Sequence, residues 1–329
     1  MNGNKVVLGI LLGVAVVGAW TIVGMKALKG VDVSAKSMLS SAQKIGSSIP
    51  VLQVIKPDEV FVLPTPPAPP EKNVDAKNTP EISAVSALVV DPLTKSVLYE
   101  KDADQRVIMA SLTKLISGIT VADAYPFWAA TSTLDNGSGI EGRRFFLEGD
   151  SVSLRDLLFG SLVGSSNRAT YALADQIKPS SSASFPAKMR LKLQDLGLFR
   201  VQVGDAAGLS LDNKATAREI MMIYSKATER PIVKEALGTD AFSVEIDDGS
   251  SRLVKSTNAL HDLIPHDFAK IGASKTGYLP ESGFHFLTSV EDDQGHQLWV
   301  LVLGSTEHLS RFTEARDLAQ WVFDNYTWK

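Results

Sequence analysis

Short apolar segments alternate with polar turns over most of the chain, and their spacing predicts two groups of strands. The apolar runs 86–90 and 95–100, joined by the turn-forming residues 91–94, predict a first pair of strands. Longer apolar runs near the C terminus predict three more strands, at 268–278, 283–291 and 296–304. The polar residues between the last two runs predict a hairpin turn.

Helical patterns lie between and after these two groups of strands. A capping-box pattern at Ser153 and Asp156 opens one apolar run, and a second at Thr216 and Glu219 opens another. The predicted helices cover about residues 111–124, 151–163, 169–177, 218–227 and 311–323. This order of elements predicts an α/β fold of the α+β type, with an antiparallel sheet.

The N-terminal residues differ from the rest of the chain. Residues 6–25 are uncharged and mostly apolar, which is long enough for a helix to cross a bilayer. A cleaved signal peptide is the alternative, but the run is long for one and no clear small-residue cleavage site follows it. We therefore predict a membrane anchor at 1–29, a proline-rich stalk at 30–80 and a compact domain at 81–329.

Composition and charge exclude several classes of function. The net charge of −4 gives no reason to expect a nucleic acid partner, and the absence of cysteine excludes a cysteine nucleophile and a lipoprotein anchor. No histidine pair has metal-ligand spacing, so no metal or other cofactor is predicted.

The lysines around the apolar run 6–25 bear on the orientation of the predicted anchor. One lysine precedes the run and three follow it closely, so the positive-inside rule would leave the domain in the cytoplasm.

Three short motifs follow one another in the predicted domain. Ser111 and Lys114 form S-x-x-K, Ser165 and Asn167 form S-x-N, and residues 275–277 read Lys-Thr-Gly. Their order and their predicted places, at a helix start, at a break between helices and at a strand end, favour one functional site.

Each motif alone is a weak signal. Residues 41–44 also read S-x-x-K, and residues 256–258 also read S-x-N. Serine, lysine and asparagine at such positions often act only as helix caps, solvated side chains or turn formers. The function therefore rests on the three motifs together.

Together the motifs supply the parts of a serine acyl-transfer site. Ser111 needs a base to take its proton, and Lys114 lies on the same helix face. Burial, or a second cation such as Lys275, would lower the pKa of Lys114 enough for this role. Ser165 is placed to relay the proton to the leaving amine, and Asn167 to hold the Lys114 amine and a substrate amide. Backbone N–H groups at Ser111 and on the strand of Lys275 suit an oxyanion hole.

Residues 82–329 resemble the D-alanyl-D-alanine carboxypeptidases among the low-molecular-weight penicillin-binding proteins. The resemblance extends to the flanks of the motifs and to a Gly-Leu-Ser segment, over 87–115, 147–175, 208–220 and 274–290. It implies a β-lactamase/transpeptidase-like fold, in which an antiparallel sheet packs with helices beside a helical subdomain.

The resemblance also implies the reaction and its ligands. The penultimate D-Ala of a peptidoglycan stem peptide acylates Ser111, the terminal D-Ala leaves, and β-lactams acylate the same serine. The amides of Ser111 and Tyr278 form the oxyanion hole. The residues expected to bind substrate are Asn167, Lys275, Thr276, Gly277, Tyr278 and Arg311. Such an enzyme acts on the cell wall, so we expect an extracytoplasmic domain, against the charge rule.

One departure from the family pattern and three rival functions stay open. Arg168 stands where the family usually has Asp or Asn, which puts a cation near the cleft rim. A D,D-endopeptidase would use the same residues on peptide crosslinks. A β-lactamase is disfavoured, because no glutamate between Asn167 and Lys275 has the E-x-x-L-N context of a deacylating residue. A non-catalytic cell-wall binding domain is disfavoured, because all motif positions are filled.

Overall fold

The computed structural model describes residues 67–124, 127–134, 145–177, 183–246 and 249–329. The chain divides into two units, Met1–Pro64 and Thr65–Lys329, and all described residues belong to the second. The predicted anchor and the S-x-x-K pattern at 41–44 lie outside the described residues. None of the helices within the described ranges is long and apolar enough to cross a membrane.

The strands group into one five-stranded antiparallel sheet and several two-stranded pairs. In chain order they are β1 (Glu71–Lys72), β2 (Ser86–Val90), β3 (Val97–Lys101), β4 (Val107–Ile108), β5 (Thr131–Thr133), β6 (Ser151–Ser153), β7 (Lys214–Ala215), β8 (Ala241–Glu245), β9 (Ser251–Lys255), β10 (Lys270–Leu279), β11 (Gly283–Glu291), β12 (Gln297–Ser305) and β13 (Tyr326–Thr327). The large sheet has the order β10-β11-β12-β2-β3, so β10 is an edge strand. All five strands predicted from the apolar runs therefore meet in this sheet.

Helices flank the sheet and form a separate helical layer. They are α1 (Thr113–Ala124), α2 (Leu154–Leu162), α3 (Asn167–Gln176), α4 (Phe185–Asp195), α5 (Ala217–Thr228), α6 (Pro231–Leu237) and α7 (Ser310–Asn325). The capping box at Thr216 and Glu219 forms in full at the start of α5, and the Ser153 hydroxyl caps α2 by accepting from the Asp156 N–H.

The two faces of the large sheet belong to two different cores. In β2, Leu88 and Val90 pack with the helical layer, whereas Ala87 and Val89 pack with α7 on the other face. This alternation follows from the period of two in a strand. Because both faces are covered, β2 is buried at every position, and it reads as a continuous apolar run in the sequence.

The compact unit begins before the boundary predicted at Glu81. The short strand β1 pairs with β13 through Glu71 opposite Thr327 and Lys72 opposite Tyr326. This pairing ties part of the predicted stalk to the C-terminal end of the chain. The sequence does not predict this pairing, because a strand of two residues is too short to show an alternation of apolar and polar positions.

Candidate active site

The segment that carries Ser111 has an unusual backbone. Residues Ala110–Leu112 form a 3₁₀ turn that leads into α1, and Ala110 has a φ of +46°. A left-handed conformation costs energy for a residue with a Cβ atom, and it persists only where the surroundings enforce it. Here Met109 donates its backbone N–H to the Asn213 carbonyl at 2.8 Å. Ser111 is thereby presented at the N-terminal end of a buried helix.

Lys114 is completely buried and lies beside Ser111. Its Nζ is 2.9 Å from Ser111 Oγ, 2.6 Å from Asn167 Oδ1 and 2.7 Å from the Ala207 carbonyl oxygen. A neutral amine has two N–H donors and one lone pair. The two oxygens of Asn167 and Ala207 accept the donors, which leaves the lone pair for the Ser111 hydroxyl proton.

The charge state of Lys114 fits this geometry. Burial lowers the pKa of the Lys114 ammonium to about 7, against a smaller opposing effect of the Asp205 carboxylate. Burial is thus the main cause of the lowered pKa of Lys114, more than the cation of Lys275. A large fraction of Lys114 is then neutral near pH 7 and able to act as a base.

The second and third motifs contact each other through Ser165 and Lys275. Ser165 Oγ accepts a hydrogen bond of 2.8 Å from Lys275 Nζ, and Ser165 has a φ of +57°. Lys275 is buried and also donates to the Thr276 carbonyl at 3.0 Å. The motif serine of the loop before α3 is therefore held against the edge strand β10.

Gly277 allows β10 to approach the segment before Ser111. A Cβ atom at this position would lie 3.1 Å from the His285 ring, 3.2 Å from the Met109 carbonyl oxygen and 3.4 Å from Ala110 Cβ. Contacts this short leave little room for a side chain. The glycine of the third motif thus sets the distance between the strand and Ser111.

Arg311 projects from α7 toward the same strand. Its Nη1 donates to the Gly277 carbonyl at 3.1 Å, and its Nη2 lies 3.1 Å from His308 Nε2. The guanidinium also lies over the ring of Phe312, 4.6 Å from the centroid. A buried guanidinium held this way is oriented for a carboxylate.

These residues surround one cleft of about 710 Å³. The predicted site residues that line it are Ser111, Ser165, Asn167, Thr276, Gly277, Tyr278 and Arg311. Lys114 and Lys275 are buried behind them. Arg168 is half-buried in α3, directly after Asn167, which lines the cleft.

A second cleft, of about 770 Å³, lies at the other end of β10. Its walls include Lys270–Ala273, Trp299 and Tyr224, and none of the three motifs contributes to it. Within the described ranges, no cluster of three histidine or acidic side chains is placed to hold a metal ion.

Sequence reasoning missed several residues that shape this cleft. The S-x-N match at 256–258 was given no role, yet Ser256, Thr257 and Asn258 line the cleft beside β10. His285 does not line the cleft but packs beside Gly277 of the third motif: it is buried, its Nε2 is 2.9 Å from the Ile108 carbonyl oxygen, and its Nδ1 accepts from the Gly304 N–H at 2.9 Å. No local sequence pattern predicts the place of residues 256–258 in the cleft or the hydrogen bonds of His285, because each brings together segments that are far apart in the chain.

Comparison with known proteins agrees with this geometry. The sequence model of the D-alanyl-D-alanine carboxypeptidase family matches residues 73–307. A D-alanyl-D-alanine endopeptidase of Pseudomonas aeruginosa is 29% identical over 246 residues, which span 74% of this chain and 78% of that protein. The D-alanyl-D-alanine carboxypeptidase DacF of Bacillus subtilis is 26% identical over 262 residues, which span 77% of this chain and 66% of that protein.

Solved structures show the same similarity. The crystal structure of a Streptomyces DD-transpeptidase superimposes with a TM-score of 0.69 at 26% identity, and the match covers 75% of this chain and all of that one. This similarity agrees with the α+β fold of a sheet packed with helices. From the family match, the chain belongs to the D-alanyl-D-alanine carboxypeptidase family of serine hydrolases.

Proposed function

We propose that the chain is a serine D-Ala-D-Ala carboxypeptidase that acts on peptidoglycan stem peptides through a Ser111 acyl-enzyme. One observation carries the proposal: the buried amine of Lys114 lies 2.9 Å from Ser111 Oγ and has a pKa lowered to about 7. A nucleophile in contact with a base of matched pKa is the core of covalent hydrolysis.

In the acylation step, Lys114 takes the proton of Ser111 while Oγ attacks the carbonyl carbon of the penultimate D-Ala. The N–H groups of Ser111 and Tyr278 stabilise the oxyanion. When the peptide bond breaks, the proton that Lys114 took from Ser111 passes through Ser165 to the leaving amine, and Lys275 holds Ser165 at 2.8 Å. Water then attacks the ester as Lys114 takes one of its protons. The ester bond breaks, Ser111 Oγ receives that proton from Lys114, and the shortened peptide leaves as a carboxylic acid.

The terminal carboxylate of the substrate is expected beside Thr276, Gly277 and Arg311. These three residues line the cleft, and Lys275, the residue before Thr276, is buried. Two cations and a hydroxyl suit a carboxylate, and the same groups would bind the carboxylate of a β-lactam. The selectivity for a free C terminus therefore comes from charge and from hydrogen bonding together.

Covalent labelling of the full chain with a fluorescent penicillin tests the proposal. We expect a stable adduct on the peptide that contains Ser111, no adduct in Ser111→Ala, and full labelling in Ser41→Ala, whose S-x-x-K match is the control. No adduct and no penicillin hydrolysis from the folded chain would support a non-catalytic binding domain. Rapid hydrolysis without a lasting adduct would indicate a β-lactamase.

A D,D-endopeptidase is the second candidate. The relative from Pseudomonas aeruginosa and one from Escherichia coli are both named D-alanyl-D-alanine endopeptidases, at 29% and 25% identity. Release of free D-Ala from a pentapeptide supports the carboxypeptidase. Conversion of a crosslinked muropeptide dimer to monomers, without such release, would establish the endopeptidase instead.

The location follows as part of the same proposal. The apolar run at 6–25 supports a single-pass anchor, and a cell-wall substrate supports an extracytoplasmic domain after the stalk. A C-terminal alkaline phosphatase fusion is expected to be active, since that reporter works outside the cytoplasm. If only a C-terminal fusion to a reporter that works in the cytoplasm is active, the domain is cytoplasmic, as the positive-inside rule predicts.

A further inference from the structure

The segment before β10 is attached to the third motif by side chains. Thr257 Oγ1 lies 2.6 Å from Thr276 Oγ1, and Asn258 Nδ2 donates to Ser274 Oγ at 3.2 Å. Ser274 and Thr276 are alternate residues of β10 and therefore point to the same face of the strand. Both contacts join this face to residues that line the cleft.

The segment is also ordered within itself. Asn258 Oδ1 accepts from the Leu260 N–H at 2.9 Å, and Ser256 Oγ accepts from the Asn258 N–H at 3.1 Å. Asn258 is buried, and Thr257 is half-buried. Thr257 is thus held in place on both sides, and its contact with Thr276 needs no reorganisation when substrate arrives.

The contact between the two threonines limits what Thr276 can offer a ligand. Each hydroxyl has one proton, so one of the pair donates and the other accepts. If Thr276 donated to Thr257, only its lone pairs would remain for the cleft, and lone pairs repel a carboxylate. If Thr257 donates, the proton of Thr276 is available to a carboxylate in the cleft, which Arg311 also lines.

We propose that Thr257 is a positioning residue that donates its hydroxyl proton to Thr276 and so directs the Thr276 proton to the terminal carboxylate of the substrate. The inference rests on the proposed function, because it assigns a role in binding the same carboxylate. Thr257 does not contact the reacting atoms and acts only through Thr276.

The test compares Thr257→Val, which removes the hydroxyl at similar volume, with Thr257→Ser, which keeps it. For a peptide ending in D-Ala-D-Ala with a free carboxylate, Thr257→Val is expected to lower kcat/KM about tenfold, mainly through KM. Thr257→Ser is expected to stay within about twofold of the native protein. The same peptide as its C-terminal amide is expected to show no such loss in Thr257→Val.

Thr239→Val is the matched control for the loss of a threonine hydroxyl. The Thr239 hydroxyl donates to the Glu235 carbonyl on an exposed surface, so this variant should leave kcat/KM unchanged.

A double-mutant cycle separates positioning from general damage. The rate of Ser111 acylation by benzylpenicillin, which carries a carboxylate, is measured in Thr257→Val, in Thr276→Val and in the double variant. If Thr257 acts through Thr276, the double variant is no slower than Thr276→Val alone. Fully additive losses, or equal losses on the acid and the amide, would overturn the inference.

The two proposals fail in different ways. A native protein that is neither acylated by penicillin nor active on peptides contradicts the proposed function. A native protein that is acylated, with Thr257→Val acylated just as fast, contradicts only the positioning role.

Discussion

Gly208 lies directly against the carbonyl group of Ala110, the residue before the nucleophile. A Cβ atom on Gly208 would stand 1.9 Å from the Ala110 carbonyl oxygen and 3.0 Å from the Ser111 nitrogen, and Gly208 has a φ of +91°. The neighbouring Ala207 carbonyl accepts from Lys114 Nζ at 2.7 Å. One glycine-containing loop therefore contacts both the backbone before Ser111 and the amine of Lys114.

Gly208→Ala is expected to reduce the rate of penicillin acylation at least hundredfold. The added methyl group cannot fit beside the Ala110 carbonyl, so the 3₁₀ turn that carries Ser111 must shift, and small displacements at a reacting atom are costly. Stopped-flow acylation measures the effect. Gly197→Ala is the control, because Gly197 has a φ of +76° but open space around it, so only about 1 kcal/mol of stability should be lost. Equal acylation rates in the two variants would contradict the close-approach argument.

Acylation by penicillin is expected to depend on the charge of Lys114. Only the neutral amine can take the Ser111 proton, and its pKa is lowered to about 7. The rate should therefore rise about tenfold per pH unit below pH 7 and level off above it. Lys114→Met should lower the plateau rate above pH 7 by about 10²–10⁴-fold and abolish the rise of the rate between pH 5 and 7. A rate that is independent of pH between 5 and 8 would argue against Lys114 as the base.

His285 is expected to make the folded state sensitive to acid. Burial lowers the pKa of the His285 imidazole to about 4, and both ring nitrogens are bonded in the neutral form. The unfolded chain takes up this proton near pH 6.5, so stability is complete above pH 6.5 and falls as the pH approaches 4. The loss amounts to roughly 3 kcal/mol for this group.

Urea unfolding at several pH values measures this effect. His285→Gln should be less stable at pH 7, because the bonds to Ile108 and Gly304 are disturbed, and its stability should fall less steeply between pH 6.5 and 4. His296→Gln removes a half-buried histidine that pairs with Asp292 and serves as the comparison. The same slope in native protein and His285→Gln would refute the assignment.

Arg311→Lys is expected to lower kcat/KM on D-Ala-D-Ala peptides about tenfold to hundredfold. The guanidinium donates to the Gly277 carbonyl and stays oriented beside His308, and an ammonium cannot reproduce this planar geometry. Arg316→Lys on the same helix is the control, since Arg316 bonds to Asp317 on the surface. Equal kcat/KM values for the two variants on these peptides would show that Arg311 does not bind the substrate carboxylate.

Local patterns were sufficient for the elements that carry the motifs. The apolar runs predicted β2, β3, β10, β11 and β12, and the caps at Ser153 and Thr216 began α2 and α5 as expected. These features depend on residues within a few positions of one another, where side-chain period and capping chemistry dominate. The pairing of β1 with β13 could not be predicted, because it joins the two ends of the compact unit.

The sequence by itself determined the candidates for the proposed chemistry, because Ser111, Lys114 and Lys275 are recognisable by type, order and spacing. Only the tertiary structure decided how these side chains are placed. It buried Lys114 so that desolvation lowers its pKa, brought Gly208 against Ala110, and placed Thr257 beside Thr276. Desolvation and contact distance depend on groups far apart in the chain, and no local pattern records them.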